Sequence, residues 1–211
     1  MKAIILAAGE GRRLRPLTEN KPKCMVELFG KSLLDWKIDL LKKCGISDII
    51  IITGYMSEKI NLKQVRFYKN NLFETTNMVE TLFCAREEFN DSLLIIYGDI
   101  IFEQRILEKF LKSEDEISLV IDQNWKEYWK IRFENPLDDA ESLKLDQDGF
   151  IQNVGQKVNN IDEISGQYIG LIKFPKKSIQ EILEFYDIMK EKSKTGKNPL
   201  NSNLSFEKSF M

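Results

Sequence analysis

The strongest constraint on the fold lies at the start of the chain, where a continuous apolar run leads into a glycine-containing basic loop. Residues 2–8 read Lys-Ala-Ile-Ile-Leu-Ala-Ala, and residues 9–18 read Gly-Glu-Gly-Arg-Arg-Leu-Arg-Pro-Leu-Thr. Uninterrupted apolar strands are typical of buried parallel sheets, and a glycine-rich turn at the carboxyl end of such a strand is where α/β sheets receive ligands. The basic residues from Arg12 to Lys23 indicate that this ligand is an anion, such as a nucleoside triphosphate.

The rest of the chain alternates helical and strand patterns, which favours an α/β fold. Residues 32–44 carry apolar side chains at helical spacing, with Ser32 as the N-cap and Gly45 as the stop, and a buried strand follows at residues 48–54. This β-loop-α-β unit should have a right-handed crossover. Further strands are predicted at 65–69, 93–97, 117–121 and 166–174, and further helices at 77–89, 107–111 and 178–189.

These elements predict one doubly wound, mostly parallel, Rossmann-like sheet in a single domain of residues 1–211. Residues 125–174 are expected to form a small antiparallel extension within it, because short apolar runs there flank the turn sequence Asp-Gln-Asp-Gly at 146–149. The polar segment from Ser193 is expected to be mobile, with a short helix near Phe206. The short runs of the extension are at 131–133, 142–145 and 150–154.

The chain contains no histidine. Its absence excludes Ser-His-Asp and Cys-His nucleophilic pairs and histidine-ligated zinc. The remaining carboxylates, lysines and arginines, with a hard metal ion, suit phosphoryl or nucleotidyl transfer, because such reactions depend chiefly on positioning and charge neutralisation.

Charge and cysteine content limit the partners and the compartment. The net charge of −2 gives no general attraction to nucleic acid or anionic lipid. Cys24, Cys44 and Cys84 match no metal-ligand spacing and are expected to be reduced packing residues. The chain opens on a core strand instead of a leader, and no apolar run approaches the roughly 20 residues that span a bilayer. We therefore expect a cytoplasmic protein with no nucleic-acid or membrane partner.

Three interpretations of residues 9–15 differ in the nucleotide that the loop would hold. A dinucleotide fingerprint needs a third glycine where Leu14 stands and a helix that begins at once, which Pro16 opposes. A Walker-type loop needs Gly-Lys-Ser/Thr, which the segment lacks. The third interpretation is an open loop whose small residues let backbone N–H groups approach phosphates, while Arg13 and Lys23 neutralise them. A solvated basic turn is the alternative without a ligand.

The long motif at residues 6–18, followed by Lys-Pro-Lys at 21–23, resembles the signature of the sugar-phosphate nucleotidyltransferase superfamily. The resemblance implies that Arg13 grips the β- and γ-phosphates and that Lys23 contacts the reacting phosphates. Arg12 stands where many members have Ser or Thr, and it is counted with the nucleotide-binding loop. The residues whose backbone the resemblance assigns to the base and phosphates are Leu6, Ala7, Ala8, Gly9, Glu10 and Gly11.

A second match to the superfamily is Tyr97-Gly98-Asp99, where an aspartate follows a buried strand and a glycine. Mg²⁺ prefers carboxylate and phosphate oxygens, and the resemblance implies that Asp99 binds this metal and that Gly98 lies against the nucleotide. Taken alone, Gly-Asp after a strand is typical of an ordinary turn. The resemblance also implies a second metal-binding carboxylate from the C-terminal part of the fold; the candidates are Glu181, Glu184, Glu207 and a residue beyond Met211.

The helix entry at residues 75–82 is similar to that of the phosphocholine cytidylyltransferase-like branch of the superfamily. The resemblance implies that Asn77 and the helix after it line the nucleotide and acceptor pocket. The alternative is a capping segment in which Thr76 or Asn77 is the N-cap. The two interpretations are compatible, because a capped helix N-terminus also attracts anions.

An aromatic segment follows residue 122, with Trp125, Tyr128 and Trp129 ahead of Arg132. Together with Tyr168 on the returning strand, these rings suit an aromatic cage for a cation, or they cover the edge of the sheet and bury area. The pattern resembles a subgroup related to phosphonate and phosphoramidate pathways. We therefore predict that the acceptor is bound by Trp125, Trp129 and Tyr168.

The resemblance implies a cytidylyltransferase that uses CTP and Mg²⁺, acts on a small phosphorylated acceptor and releases pyrophosphate. The acceptor it implies is phosphoglutamine, giving CDP-glutamine for a phosphoramidate modification of capsule or surface polysaccharide. Alternatives are phosphocholine, a phosphonoalkyl acceptor and a sugar 1-phosphate. A nucleotide-sensing module without turnover is the alternative outside enzymes, and a homodimer is kept open as an assembly.

Overall fold

A computed structural model describes residues 1–113 and 117–194 of the chain. The strands of this part are β1 (Lys2–Ala7), β2 (Glu27–Leu28), β3 (Lys31–Ser32), β4 (Ile49–Thr53), β5 (Arg66–Lys69), β6 (Leu93–Tyr97), β7 (Ser118–Asp122), β8 (Leu143–Leu145), β9 (Ile151–Val154) and β10 (Gln167–Phe174). The α-helices are α1 (Leu33–Lys43), α2 (Met78–Phe83), α3 (Gln104–Leu111), α4 (Trp125–Arg132) and α5 (Ile179–Lys194).

The central sheet has six strands in the order β5-β4-β1-β6-β10-β7. Strands β5, β4, β1 and β6 are parallel to one another, whereas β10 is antiparallel to both β6 and β7. The carboxyl ends of β1, β4, β5, β6 and β7 therefore lie at one edge of the sheet, and β10 begins there. The prediction of a doubly wound, mostly parallel fold is confirmed, and the small antiparallel sheets are β2-β3 and β8-β9.

The apolar strands are buried on both faces because helices cover each side. Alternate residues of β1 contribute to two separate cores: Ile4 packs in the core beneath α2 and α5, and Ile5 in the core beneath α1 and α3. Both side chains have no exposed surface. Removal of this apolar area from water is the main driving force for the layered arrangement.

Helix α1 begins and ends as predicted. The Ser32 Oγ accepts a hydrogen bond from the Asp35 N–H at 3.0 Å, which satisfies one of the free donors of the first turn. Cys44 is the C-cap, and Gly45 follows with φ +82°, a left-handed conformation that favours glycine.

The helix predicted at residues 77–89 is shorter than expected. Helix α2 ends at Phe83, and a 3₁₀ turn follows at Arg86–Glu88. This turn carries Glu88, which is 7% exposed, to the Lys2 ammonium at 2.7 Å and the Arg66 guanidinium. A continuous α-helix was predicted because the apolar spacing persists through Phe89. The ion pairs of Glu88 with Lys2 and Arg66, which accompany the change of direction, are tertiary contacts that the spacing does not show.

The segment at residues 125–174 differs from the predicted antiparallel extension. Its first part is helix α4, which includes most of the run at 131–133, and its last strand, β10, belongs to the central sheet. The hairpin β8-β9 with its turn at 146–149 forms as predicted. Trp125 and Trp129 are four residues apart and share one face of α4, so the aromatic spacing is helical.

The remaining expectations concern the tail and membrane association. Helix α5 continues through Lys194, and the rest of the predicted mobile tail, the short helix near Phe206 and Glu207 lie outside the described residues. Cys24, Cys44 and Cys84 are free thiols. In the described ranges, no helix has the length and apolar character needed to cross a bilayer.

Candidate active site

Loops after three parallel strands converge at the carboxyl edge of the sheet. The Tyr55 N–H after β4 donates to the Ala8 carbonyl after β1 at 3.1 Å. A Cβ added at Gly54 would lie 2.7 Å from the Ala8 oxygen and 2.8 Å from Cβ of Phe73, in the loop after β5. Glycine at position 54 therefore permits these loops to meet.

The loop after β1 is a compact turn, not the start of a long helix. Only a 3₁₀ turn at Arg12–Leu14 forms, which agrees with the exclusion of a dinucleotide fingerprint. Gly11 has φ +73°, and its carbonyl accepts a hydrogen bond from the buried Thr18 hydroxyl at 2.9 Å. A Cβ at Gly11 would lie 2.8 Å from Cβ of Lys23, so glycine here also lets the Lys23 stem pack against the loop.

The predicted nucleotide-binding residues of this loop are buried at its start and exposed at Gly9, which we call the rim of the loop. Leu6, Ala7 and Ala8 are each at most 7% exposed. Gly9 is exposed, and a Cβ added there would meet nothing within 4 Å. The rim at Gly9 therefore has free space in which a ligand could approach the backbone.

The cations of the loop have different partners. The Arg12 Nε donates to the Glu10 carboxylate at 2.5 Å, and Arg15 donates to the same carboxylate. The hydrogen bond from Arg12, with the charges of Arg12 and Arg15, holds the pKa of Glu10 below its ordinary value. Arg13 instead reaches across to Asp139 at 3.3 Å, and its side chain is 77% exposed. Arg12 and Arg15 thus pair within the loop, whereas Arg13 pairs with a residue distant in sequence; the side chains of Arg12 and Arg13 are similarly exposed, at 75% and 77%.

Lys23 and Asp99 form an ion pair, with the Lys23 ammonium donating to Asp99 Oδ2. Their side chains are 28% and 33% exposed, so the pair faces solvent. Just before Asp99, the Gly98 N–H donates to the Leu6 carbonyl at 2.8 Å, and a Cβ at Gly98 would lie 2.6 Å from that oxygen. The predicted residues Leu6, Lys23, Gly98 and Asp99 therefore meet in one place.

Asp99 is a carboxylate at this edge that suits a hard divalent metal. Mg²⁺ is usually bound by one or two carboxylates together with substrate phosphates and water, and Asp99 fits that mode of binding. Residues 1–113 and 117–194 contain no group of three or more acidic or cysteine side chains that could hold a metal ion by itself. Glu181 and Glu184 lie on the exposed side of α5, where Glu184 accepts a hydrogen bond from Gln180 at 2.8 Å.

Two buried residues lie beneath the ion pair: Lys37, which was not predicted, and Cys24, which was expected to be a packing residue. Lys37 on α1 is 2% exposed, and its Nζ donates to the Ile100 carbonyl at 2.8 Å. Burial lowers the pKa of Lys37 to about 8, and the charge of Asp99 partly opposes this shift. Burial likewise raises the pKa of the Cys24 thiol to about 11. The sequence signal for Lys37 is its position among the apolar residues that α1 turns toward the core.

Asn77 is the N-cap of α2, with its side chain accepting a hydrogen bond from the Glu80 N–H at 3.1 Å. The capping interpretation is confirmed, and the role of Asn77 in nucleotide binding stays a prediction. The loop before it is organised by Asn70, a buried residue that was not predicted. The Asn70 side chain donates to the hydroxyls of Thr76 and Thr81, each at 2.9 Å.

The three aromatic residues predicted to bind the acceptor lie in two places, Trp125 with Trp129 and Tyr168 apart from them. Trp125 is 1% exposed and packs with Ala140 and Ile164 in a small core, against which Trp129 also packs. Tyr168 lies elsewhere, edge-on to Tyr97 at a centroid distance of 5.5 Å. Trp125 was predicted to bind the acceptor, but in this structure its ring is enclosed and has almost no exposed surface. Tyr168 lies beside Tyr97, the last residue of β6, two residues before Asp99.

Arg132 occupies the ring faces of the aromatic segment. Its guanidinium lies 5.2 Å from the Tyr128 centroid, 5.1 Å from that of Trp129 and 5.0 Å from that of Phe133. These are distances at which cation–π attraction operates. The rings that could surround a bound cation therefore already contact a cation of the chain.

The sequence of the chain is similar to a known protein family and to two named cytidylyltransferases. The family model described as a MobA-like NTP transferase domain matches residues 3–158. CTP:phosphoglutamine cytidylyltransferase of Campylobacter jejuni is 39% identical over 100% of this chain and 85% of its own length. Choline-phosphate cytidylyltransferase of Streptococcus pneumoniae is 41% identical over 54% of this chain and 51% of its own length.

Among solved structures, the chain is similar to CTP:phosphocholine cytidylyltransferase from Streptococcus pneumoniae. The TM-score is 0.69 at 27% identity, and the match covers 95% of this chain and 80% of the other.

Proposed function

The chain belongs to the MobA-like NTP transferase family and is a nucleotidyltransferase, and from that premise we propose that it transfers CMP from CTP to a small phosphorylated acceptor with release of pyrophosphate. The observation that carries the proposal is the Lys23–Asp99 pair, with the Lys23 stem packed against the loop at Gly11. This arrangement combines a cation, a carboxylate and accessible backbone at the sheet edge where such folds bind ligands.

We propose phosphoglutamine as the acceptor, giving CDP-glutamine for modification of capsule or surface polysaccharide. The support is the Campylobacter jejuni relative, whose similarity covers the entire chain. Arg132 adds a physical argument, because its guanidinium contacts three ring faces. A cation at this position favours phosphoglutamine, which carries a carboxylate besides its phosphate, over phosphocholine, which carries a quaternary ammonium besides its phosphate. Because CTP is the donor, we place this reaction in the cytoplasm.

Phosphocholine is the second candidate acceptor. It is supported by the similarity in sequence to choline-phosphate cytidylyltransferase of Streptococcus pneumoniae, and by the similarity in structure to CTP:phosphocholine cytidylyltransferase of the same organism. An aromatic cage for choline would require the faces of Tyr128 and Trp129, so Arg132 would have to leave them on binding.

The proposed reaction is an in-line displacement at the α-phosphorus of CTP. A phosphate oxygen of the acceptor forms the new bond to that phosphorus while the bond to the bridging oxygen breaks, and pyrophosphate leaves with the electron pair. The acceptor oxygen is already an anion, so no general base is needed. Lys23 aligns the reacting phosphates and Arg13 stabilises the charge that develops on pyrophosphate; catalysis then comes from proximity and preorganised charge.

We assign CTP binding to the loop after β1 and to the ends of the strands around the Lys23–Asp99 pair. Asp99 would hold Mg²⁺ together with oxygens of the triphosphate, and the ion would supply charge neutralisation. The residues proposed to contact the nucleotide are Leu6, Ala7, Ala8, Gly9, Glu10, Gly11, Arg12, Asn77 and Gly98. Those proposed near the acceptor are Trp129 and Tyr168, with Trp125 supporting Trp129 from behind.

A pyrophosphate-release assay tests the proposal directly. CTP, UTP, ATP and GTP are each combined with phosphoglutamine, phosphocholine or a phosphonate, with Mg²⁺ or with a chelator. We expect release only with CTP, highest with phosphoglutamine, and none with the chelator. Activity confined to phosphocholine would overturn the proposed acceptor, and binding of CTP without release in any mixture would favour a nucleotide-sensing role.

A further inference from the structure

Lys37 lies in the core although it is a lysine. It belongs to the buried face of α1 with Leu34, Ile38 and Leu41, and only 2% of its surface is exposed. Enclosing an ammonium group in this way is unfavourable unless the charge is compensated. A lysine at such a position therefore calls for a specific contact that a leucine or methionine would not provide.

The contact of Lys37 is with the residue after Asp99. Its Nζ donates to the Ile100 carbonyl at 2.8 Å. On the other side of Asp99, the Gly98 N–H is bonded to the Leu6 carbonyl at 2.8 Å. The short turn that carries the Asp99 carboxylate is thus attached to the fold at both of its neighbours, once by strand β1 and once by helix α1.

Lys37 also lies below the other half of the ion pair. Cys24, which follows Lys23 in the chain, is 2% exposed and lies in the same core as α1. Helix α1 packs against the 3₁₀ turn Lys23–Met25. The helix that carries Lys37 therefore contacts the backbone that presents Lys23 as well as the turn that presents Asp99.

We propose that Lys37 is a positioning residue that holds the Ile100 carbonyl, one residue beyond Asp99, and so aims the Asp99 carboxylate at the Lys23 ammonium and at a metal-bound triphosphate. The inference rests on the proposed function, because it assigns to Lys37 the support of the site named there. Residues that orient a metal ligand typically change metal affinity or activity by about 10–100-fold when they are replaced.

The test is CTP binding by the full chain, measured by calorimetry with Mg²⁺ and again with a chelator. In Lys37→Met, which removes the donor and keeps the side-chain length, we expect CTP affinity in Mg²⁺ to fall about tenfold. Affinity without the metal should stay at the wild-type value, and Tm should not fall, because the replacement also removes a buried charge. The control is Lys42→Met on the exposed face of the same helix, which should match wild type in both titrations.

Lys37→Gln is the second variant, since it retains a polar group in the core but lacks the length and charge of lysine. It should show the same loss of metal-dependent binding. If the CTP affinity of either folded variant depends on Mg²⁺ as in wild type, the proposal is overturned. Failure of both variants to fold would overturn it as well, because Lys37 would then be a support of the core. A wild-type protein that binds CTP more tightly with Mg²⁺ but never releases pyrophosphate would overturn the proposed reaction alone.

Discussion

The Lys23 ammonium donates to the Asp99 carboxylate across a sequence separation of 76 residues. Lys23 follows the loop after β1 and Asp99 follows β6, so the pair joins the two segments to which we propose that CTP binds. A partly exposed ion pair contributes little to stability by itself. Its value is that it holds a cation and a carboxylate side by side before any ligand binds.

Replacing Lys23 by alanine should therefore lower the rate far more than the stability. We expect Lys23→Ala to reduce kcat for pyrophosphate release from CTP by about a hundredfold, the usual effect of removing one preorganised charge. The unfolding midpoint in urea should stay close to that of wild type. Lys109→Ala, on the exposed face of α3, is the control and should keep the wild-type kcat. An unchanged kcat in Lys23→Ala would contradict the role given to this residue.

Two glycines at the site should respond differently to the same added methyl group. Gly9→Ala has open space around the new Cβ, so we expect its Tm to be unchanged, whereas KM for CTP should rise about tenfold or more if the nucleotide occupies that space. Gly98→Ala would place a Cβ 2.6 Å from the Leu6 oxygen and should lose stability. Thermal unfolding and initial rates measured on both variants check this, and a normal KM in Gly9→Ala would remove the loop rim from the nucleotide site.

Local patterns predicted most of the fold because they are set by neighbours in sequence. The strands β1, β4 and β6 are continuous apolar runs, and α1 has both its periodicity and its N-cap at Ser32. Helix α4 was not predicted because its aromatic residues were interpreted by chemistry, as a cage, although their spacing of four is helical.

The candidate site was predicted only where a motif of the superfamily carries it. Lys23 belongs to the long motif and Asp99 to the short match Tyr97-Gly98-Asp99, and the fold brings them together. Lys37 and Asn70 are polar residues whose importance depends on being buried, and burial follows from the packing of distant elements. The place of Lys37 on the apolar face of α1 indicates burial, but its contact with the Ile100 carbonyl depends on how distant elements pack.

Trp125 should behave as a core residue and not as an acceptor ligand. Trp125→Ala would leave a cavity among Ala140, Ile164 and Trp129, and we expect it to lower the free energy of unfolding by about 3–5 kcal/mol. The matched control is Ile131→Ala on the same helix, which is 83% exposed before substitution and should change stability by less than about 0.5 kcal/mol. Urea titrations give both values. Full stability with a tenfold higher KM for the acceptor would instead restore Trp125 to the acceptor site.

Glu88 should make stability depend on pH in the acid range. Burial opposes its charged form, but hydrogen bonds from Lys2, Tyr68 and Arg66 outweigh burial and hold the pKa of Glu88 below its ordinary value of 4.5. A carboxyl group whose pKa is lower in the folded state binds fewer protons there than in the unfolded chain. Its contribution to stability is therefore complete above about pH 4.5 and is lost as the pH falls through the folded-state pKa.

Glu88→Gln removes the charge at every pH, so the difference between wild type and variant should follow the same course. At pH 7 we expect the variant to be less stable by about 2 kcal/mol, the range for hydrogen bonds to a charged group. Below about pH 4.5 the difference should shrink toward zero, because wild-type Glu88 becomes neutral as well. Urea titrations from pH 7 to pH 3 measure it, with Glu58→Gln on the exposed 3₁₀ turn at Ser57–Lys59 as the control. A difference of constant size over that range would mean that the ion pairs to Lys2 and Arg66 do not stabilise the fold through the charge of Glu88.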